Sequence, residues 1–570
     1  MDIGYVLRRT TSELSDTSPC TPALLLENDE EWSFGDLRRE AANYARALQS
    51  LGVNKGDRVG MLLYNCLEYY ALYFAIVQLG AIAVRINFRL KSEELKYIIS
   101  NAACKVLCLH SELADEVAYI RDSLPVEYYI AGSVSRRGEN SATAIQGAET
   151  GPASAGSEAE RVWALPWSVL ENGGLDDADG RSGRVPAVGQ GNAGDRVGDK
   201  DTHEIEPIDL TLDDPAMLMY TSGTTGLPKG ALWTHGNTLW FASMQIAKWN
   251  FDTSTVIFPT GPQYHVGALE DLALPTLAVG GRVVILRSGH FNMENVLSII
   301  EKRRVTHTLL FPNMIYELIN LPTIGSYDLS SLKVIYTGGD PLSEVAIETL
   351  LKKLPSVQLM QMYGLTEGTP IATCLDGEFA LQHPESAGRP LPFTEIKVVG
   401  EDGQPVNKGA VGEIYIHSPA VAKEYWRNPK ATAETFQNGW CSTGDLGRIT
   451  DDGFLVVTGR KKDMIRSGGE NIYATEIENV IARHPKVREV AVIGVPHPKY
   501  LETVCAVVVL HNGEVMTEDE LIDFCRDKLA GYKRPRHVRF VEKFPRTPSS
   551  KIQKFILREQ IVQTHVKDWA

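Results

Sequence analysis

The chain has 570 residues, 43% of them apolar and 23% charged, with a formal net charge of −15 at pH 7. That length exceeds one ordinary core and predicts two or more domains. The composition excludes a disordered chain. The acidic balance argues against a nucleic-acid or anionic-membrane binder, while leaving room for ATP or CoA at a local positive site. Eight cysteines, at 20, 66, 104, 108, 374, 441, 505 and 525, never form C-x-x-C. They predict reduced, mostly buried thiols in a cytoplasmic protein and no structural zinc site. Residues Met1 to Arg9 lack the apolar core of a signal peptide. The C-terminal Asp568-Trp569-Ala570 is not a peroxisomal address. The longest apolar run, Tyr69 to Val84, is interrupted by Gln78 and Gly80. It is shorter than the roughly 20 residues a membrane span needs, and reads as a buried helix followed by a strand.

In chain order, Ser33 to Leu51 reads as an amphipathic helix. Ser33 and Asp36 stand at capping spacing, Leu37, Ala41, Tyr44, Ala45, Leu48 and Leu51 share one face, and Gly52 stops it. A second capped helix starts at Ser92 and leads into a strand near Val106 to Leu109. From Ser133 to about Glu206 the composition turns to Gly, Ala, Ser, Asp and Asn, and periodicity is lost. This predicts a flexible insertion. One island inside it, Val162 to Leu170 with Trp163 and Trp167, is expected to dock on the body.

A strand-like run, Ala216 to Met219, precedes Tyr220-Thr-Ser-Gly-Thr-Thr-Gly-Leu-Pro-Lys-Gly230. Three glycines, Gly223, Gly226 and Gly230, let the backbone turn and approach a ligand closely. The hydroxyls of Thr221, Ser222, Thr224 and Thr225, the loop amides and the Lys229 ammonium together suit a polyanion. It is not the common phosphate loop, which needs Gly-Lys followed by Ser or Thr. Here Pro228 precedes Lys229 and Gly230 follows it.

Beyond this loop, strand-like and helix-like runs alternate. Strands are predicted near Val256–Phe258, Arg282–Leu286, Thr306–Phe311, Lys333–Thr337 and Gln358–Met362. Helices are predicted near Gly267–Val279, Asn292–Lys302, Pro312–Asn320 and Ser343–Leu351. The alternation argues for a parallel, doubly wound sheet, whose ligands bind beyond the carboxyl ends of the strands. Tyr264-His265, Gly338-Gly-Asp-Pro341 and Tyr363-Gly-Leu-Thr-Glu367 each follow a predicted strand. Taken singly, each could be a turn, and His265 a core histidine. Three such turns at one sheet edge, beside a phosphate loop, point to a site. Further on come a strand at Gly412 to Ile416, then Glu424-Tyr-Trp426, Gly439 to Asp445, and Gly459 to Tyr473. Strands near Val490–Ile493 and Ala506–Leu510 and a helix capped by Thr517 and Glu520 make a compact α+β module.

The Tyr220–Gly230 run closely resembles the signature of the adenylate-forming superfamily: acyl-CoA synthetases, coumarate–CoA ligases, beetle luciferases and peptide-synthetase adenylation domains. Gly459 to Tyr473 and Pro545 to Lys554 match the same family. The resemblance implies a large N-terminal domain, residues 1–459, of doubly wound sheets plus a small barrel-like part, with the insertion at about 133–206. It implies a smaller mobile α+β C-terminal domain, residues 460–570, with its hinge at Lys462.

The resemblance also assigns roles. Thr221, Ser222, Gly223, Thr224, Thr225, Gly226 and Lys229 hold the phosphates. Gly338, Gly339 and Asp340 run along adenine and the acyl tail, and Tyr363, followed by Gly364, stacks on adenine. Thr366 touches the α-phosphate. Glu367, with Thr225, holds Mg2+. Asp445 grips the ribose, Arg460 is the second ribose or phosphate contact, Gly468 and Gly469 line the CoA channel, and Lys551 is the catalytic lysine. Tyr264, His265, Gly267, Gly338 and Gly368 form the acyl pocket, His265 also serving the chemistry. Where the family has Ala, Gly, Gly and Gly, this chain has Asp340, Glu424, Leu501 and Ser550. An acid at 340 could accept a bond from the adenine amine.

The implied reaction joins a carboxylic acid, ATP and CoA. No acid opens the Pro262–Gly267 segment, where amino-acid-activating relatives carry aspartate, so a hydrophobic acid, a medium or long fatty chain or a bulky ring, is expected. The competing readings are an acyl-AMP ligase that loads a carrier protein, an oxidative light emitter, and a catalytically silent nucleotide or acyl binder.

Overall fold

The computed structural model describes residues 2–12, 19–132, 163–174, 208–221, 227–468, 470–546 and 552–564. The alternating strands predicted between residues 256 and 362 share one large sheet, as expected, and most of the earlier strands build another. In the sheet of earlier strands, the first, Pro215–Thr221, Ile82–Arg85, Arg58–Leu62, Val106–His110, Tyr128–Gly132 and Leu165–Pro166 run parallel. Lys229–Thr234 and Glu424–Tyr425 extend it antiparallel. In the second, Gln358–Leu365, Val334–Gly338, His307–Leu309, Val256–Pro259, Arg282–Ile285 and Pro22–Leu26 run parallel. Glu31–Ser33 closes one edge and Thr369–Leu375 with Arg389–Pro390 the other.

The Tyr69–Val84 run is the buried helix and strand expected of it, Leu67–Gln78 and Ile82–Arg85. The helix is buried on every face, so its sequence carries no polar stripe. One apolar cluster joins it to both sheets, through Val59 and Ala83 on one side and Ile257 and Val283 on the other. The helix Phe34–Ser50 has the predicted capping box, with Ser33 accepting from the Asp36 amide. The helix Ser92–Ala102 starts where expected and is capped. Lys91 is its cap residue and donates its amide to Glu94, while the Ser92 hydroxyl turns to Glu116 at 2.8 Å. The tryptophan island docks as expected: Trp167 is 1% exposed and packs edge-on against Tyr44, and Trp163 packs against Tyr129.

One predicted helix is largely absent. Gly267–Val279 forms a 3-10 turn at Val266–Ala268 and a short helix at Ala273–Ala278. Between them the buried acids Glu270 and Asp271 face inward and Leu272 takes φ 69°. Turning Glu270 toward Arg85 breaks the helical path that periodicity alone suggests.

An antiparallel sheet of Glu395–Val399, Gly412–His417, Trp440–Ile449, Phe436–Gln437 and Leu455–Arg460 follows. The last part is the expected α+β module, around the hairpin Val487–His497 and Leu501–Leu510. Its strands alternate sides. Val492, Val504, Ala506 and Val508 meet the helices Ala474–Ile481 and Glu518–Phe524, and Ala491, Ile493, Cys505 and Val507 meet Lys554–Thr564. All eight cysteines are free thiols and only Cys20 is exposed. Among the described residues, no helix is long and apolar enough to cross a membrane.

Candidate active site

The strand ending at Thr221 turns back into the strand beginning at Lys229, and these two residues pair directly. Residues 222–226, with the predicted contacts Ser222, Gly223, Thr224, Thr225 and Gly226, lie outside the described residues. The loop's two ends are therefore pinned side by side. Thr221 Oγ1 donates to Glu367 Oε1 at 2.8 Å, and the Tyr425 hydroxyl donates to the same oxygen at 2.9 Å. Two hydroxyl donors on one oxygen fix the orientation of the carboxylate. Lys229 Nζ lies 5.1 Å from the centre of the Tyr425 ring. Burial, then the Glu367 charge, hold the Tyr425 phenol far above its ordinary range, so it acts as a donor.

Thr366 and Glu367 sit in the tight turn between Gln358–Leu365 and Thr369–Leu375. The Trp233 indole donates to the Thr366 carbonyl at 3.0 Å, and the Ala422 amide to the Glu367 carbonyl at 2.9 Å. A β-carbon on Gly364 would lie 2.2 Å from the Thr369 carbonyl oxygen, so no other residue fits this turn. Thr369, fully buried, takes φ 126°, a conformation that side chains rarely adopt. Strain of this kind persists where neighbours over-determine it, often beside a site.

Glu367 suits a hard cation. Both of its side-chain hydrogen bonds fall on Oε1, and Oε2 accepts none among the described residues. One carboxylate supplemented by phosphate oxygens and water is a usual Mg2+ arrangement. Among the described residues there is no cluster of three or more acid, His or Cys ligands for an all-protein metal cage.

A second cluster begins two residues before Leu365. The Tyr363 hydroxyl donates to Asp445 Oδ2 at 2.8 Å, and Arg460 Nε lies 2.8 Å from Asp445 Oδ1. Asp445 and Arg460 are partners across neighbouring strands. The Asp445 amide donates to Thr443 Oγ1 at 3.0 Å, and Gly444, at φ 70°, makes the turn between them. Burial opposes the Arg460 charge, but Asp445 and its neighbours outweigh it and raise Arg460 above its ordinary value. Gly338 pairs with Met362, and its missing β-carbon would meet the Met362 carbonyl at 2.7 Å. The Gly338–Gly339–Asp340 turn thus leaves the sheet beside Tyr363, with Gly339 at φ 94° and Asp340 exposed.

Tyr264, His265 and Gly267 follow the strand Val256–Pro259, at the same carboxyl edge of the second sheet. Tyr264 is 7% exposed and packs edge-on against Phe88. His265 Nδ1 accepts the Gly267 amide at 3.1 Å. The segment is held from below by Arg85, which donates to the carbonyls of Gln263 and His265 and pairs with Glu270. Both side chains of that pair are fully buried. Burial works against the Arg85 charge, but Glu270 and nearby tyrosines outweigh it and hold Arg85 above its ordinary value. Gly368 lies one residue past Glu367, where a β-carbon would approach Leu365 Cδ2 at 2.7 Å.

On the C-terminal side Lys462 stands in the exposed turn Lys461–Asp463, directly after Arg460. Gly468, at φ 61°, donates its amide to the Tyr500 carbonyl at 3.0 Å. Gly469 and Lys551 lie outside the described residues, as does Ser550. Glu424 sits in ordinary strand geometry, so an acid costs the backbone nothing there. Leu501 does not: it holds φ 71°.

Sequence reasoning missed Tyr425, Trp233, Arg85, Glu270 and Asp271. A signal existed for three of them. Arg85 ends an otherwise apolar strand, and Glu270-Asp271 interrupts an apolar stretch.

Two family models match the chain, AMP-binding enzyme over residues 13–426 and AMP-binding enzyme C-terminal domain over 476–551. The chain belongs to the adenylate-forming superfamily. This adenylate-forming protein is 36% identical over 530 residues to a feruloyl-CoA synthase of Amycolatopsis sp, covering 93% of this chain and 94% of that one. It is 34% identical over 564 residues to the long-chain-fatty-acid–CoA ligase FadD13 of Mycobacterium tuberculosis, covering 99% of each. The crystal structure of the anthranilate CoA ligase AuaEII with anthranoyl-AMP is similar with a TM-score of 0.81 at 26% identity, over 98% of this chain and 97% of that one. The mixed α/β fold, large N-terminal part first and smaller C-terminal part last, is that of the superfamily.

Proposed function

We propose that this AMP-forming carboxylic acid–CoA ligase activates a hydrophobic acid, and that Glu367 and Lys551 carry the first step. The observation that supports this most is the anchored Glu367 carboxylate, bonded by Thr221 at the entry to the phosphate loop and by Tyr425 on the strand that pairs beside the loop's return strand. A free carboxylate does not react with a thiol, because its leaving group would be oxide or hydroxide. Attack of the acid oxygen on the α-phosphorus of ATP expels pyrophosphate and forms an acyl adenylate. Attack of the CoA thiol on the acyl carbon then expels AMP, the thiol proton leaving to solvent or a base.

The first step joins two anions, so positive charge must be in place beforehand. A bound Mg2+ on Glu367 would neutralise phosphate charge. Lys229 attracts the phosphates from the strand side, and Lys551 would approach from the C-terminal domain. Tyr363, Asp445 and Arg460 suit the nucleoside. The Asp445 carboxylate can accept two ribose hydroxyls, its position set by Arg460.

The second step needs a different environment, and we infer that residues 460–570 turn about Lys462 to provide it. A buried Tyr264, with Val266 to Leu269 small and apolar, favours a hydrophobic acyl group, either an alkyl chain or a ring. Eight free thiols favour a cytoplasmic setting.

The test is pyrophosphate release from ATP across a panel of carboxylic acids, with and without CoA, with thioesters identified by mass. Acid-dependent release with a CoA thioester is the expected result. An adenylate that forms but ignores CoA would favour loading of a carrier protein instead. Lys551→Ala is expected to slow adenylate formation by about two or three orders of magnitude. Lys462→Pro is expected to spare that step and abolish thioester formation. Normal adenylation in the first variant would remove Lys551 from the mechanism.

A further inference from the structure

The phosphate-loop lysine and the carboxylate that suits Mg2+ belong to different sheets. Thr221 and Lys229 lie in paired strands of the first sheet, and Glu367 lies in a turn of the second. No single backbone ladder therefore fixes their separation. Tyr425 reaches across that seam. Its backbone belongs to the first sheet: Tyr425 pairs with Ala231, just beyond Lys229, and the neighbouring Trp426 amide donates to the Gly230 carbonyl at 2.8 Å. Its hydroxyl donates to Glu367 Oε1, at the second sheet, at 2.9 Å.

The side chain has little freedom. Tyr425 is 7% exposed, its amide donates to Thr432 Oγ1 at 3.0 Å, and its ring packs against Phe436 with centroids 5.4 Å apart. A carboxylate oxygen offers two lone pairs. Oε1 of Glu367 uses both, on Thr221 at 2.8 Å and on Tyr425. Oε2 is the oxygen left for a cation, and the two donors set its direction. The face of the same ring carries the Lys229 ammonium, 5.1 Å from its centre. One side chain thus touches the carboxylate through its hydroxyl and the lysine through its ring.

We propose that Tyr425 is a positioning residue that couples cation binding to nucleotide binding. Its hydroxyl turns Oε2 of Glu367 toward the phosphates that Lys229 attracts, so a metal–nucleotide complex meets a carboxylate and an ammonium already in register. The proposal rests on the reading above, in which Glu367 holds Mg2+ and Lys229 attracts the phosphates, and deepens it by naming what aligns the two. Without the hydroxyl, Oε1 keeps a free lone pair and the carboxylate can turn about its Thr221 bond, while the ring still stands under Lys229. The loss then falls on the metal and not on the nucleotide as such.

The test is calorimetric binding of α,β-methylene ATP, whose α–β linkage the protein cannot cleave, in Mg2+ and in EDTA. The ratio of the two dissociation constants reads what the cation contributes. The wild-type protein is expected to bind the magnesium complex about tenfold or more tighter than the free nucleotide, and Glu367→Gln to lose that preference. Tyr425→Phe keeps the ring and its packing on Phe436. It is expected to cut the preference to about twofold, with binding in EDTA unchanged within about twofold. Tyr425→Leu also removes the ring under Lys229, and is expected to weaken binding in EDTA about threefold as well. In steady state, Tyr425→Phe is expected to need about fivefold more Mg2+ for half its rate of pyrophosphate release, and to regain a near wild-type rate when Mg2+ is saturating. A wild-type preference retained in Tyr425→Phe would overturn the proposal. So would equal weakening with and without Mg2+, the mark of a merely structural loss. A wild-type ratio near one, or a preference that survives Glu367→Gln, would overturn the assignment of the cation to Glu367, and this proposal with it.

Discussion

The Tyr363 hydroxyl donates to Asp445 Oδ2 at 2.8 Å, joining residues that lie 82 positions apart. The aromatic ring and the carboxylate proposed for the two halves of the nucleoside are therefore one mechanical unit, completed by Arg460 on the other carboxylate oxygen. Tyr363→Phe keeps the ring and removes the tie. One side-chain hydrogen bond contributes about 1 kcal/mol net, so KM for ATP is expected to rise about fivefold with kcat nearly unchanged. Asp445→Ala is expected to cost far more, about a hundredfold in kcat/KM, because it removes the charged acceptor proposed for the ribose hydroxyls as well as the tie. Steady-state pyrophosphate release against ATP concentration separates the two. Equal effects would mean that the tie, and not the carboxylate, does the holding.

The fully buried Arg85–Glu270 pair supports the segment that presents Tyr264 and His265. Removing one member leaves the other charge buried alone. Arg85→Met is expected to destabilise the protein by about 3–5 kcal/mol. Arg85→Met with Glu270→Met together should restore most of that, since a well-packed apolar pair often substitutes for a buried ion pair. Denaturant midpoints for the three proteins check this. A double variant no better than the single would show that the hydrogen bonds to the Gln263 and His265 carbonyls carry the stability.

Leu501 holds φ 71° at the tip of the hairpin in the C-terminal module, and its side chain is 71% exposed. A left-handed conformation costs an L-residue about 1–2 kcal/mol, and an exposed side chain recovers little by packing. Glycine takes the conformation freely but costs about 0.4–1 kcal/mol through unfolded-chain entropy. Leu501→Gly is therefore expected to stabilise by about 0.5–1 kcal/mol, read as a small rise in Tm, and Leu501→Ala not at all. A fall in Tm for the glycine variant would mean that Leu501 makes a contact outweighing its backbone strain.

His110 is 5% exposed, and its Nδ1 accepts the Tyr64 amide at 3.1 Å. Burial lowers it to about 4 from an ordinary 6.5. Between those values the unfolded chain binds a proton that the folded chain refuses, so stability rises with pH there and is lost as pH falls from 6.5 toward 4. The slope from this one group is at most about 1.4 kcal/mol per pH unit. His110→Asn keeps an acceptor for the Tyr64 amide without the titration. Stability curves of wild type and variant are expected to diverge above pH 6.5 less than below it. Parallel curves from pH 4 to 7 would show that His110 does not titrate in this way.

Much of this protein was legible in its amino-acid order because the governing forces are local. Periodicity located the helices Met293–Arg303, Pro312–Asn320 and Glu344–Lys353 and the parallel strands between them. Ser33 with Asp36 and Thr517 with Glu520 announced their caps, since a capping bond spans three residues. The motif residues, read from the sequence, meet in the fold as Thr221 with Glu367 and as Tyr363 with Asp445 and Arg460. The tertiary structure decided what those residues meet. Nothing near Glu367 in the chain points to Tyr425, and nothing near Arg85 points to Glu270, 185 residues away. It also decided that Gly267–Val279 is not one helix, because a buried charge seeking its partner outweighs local helical preference. A pattern along the chain records which face of an element is apolar. Only the folded chain brings distant polar groups close enough for their desolvation to be repaid.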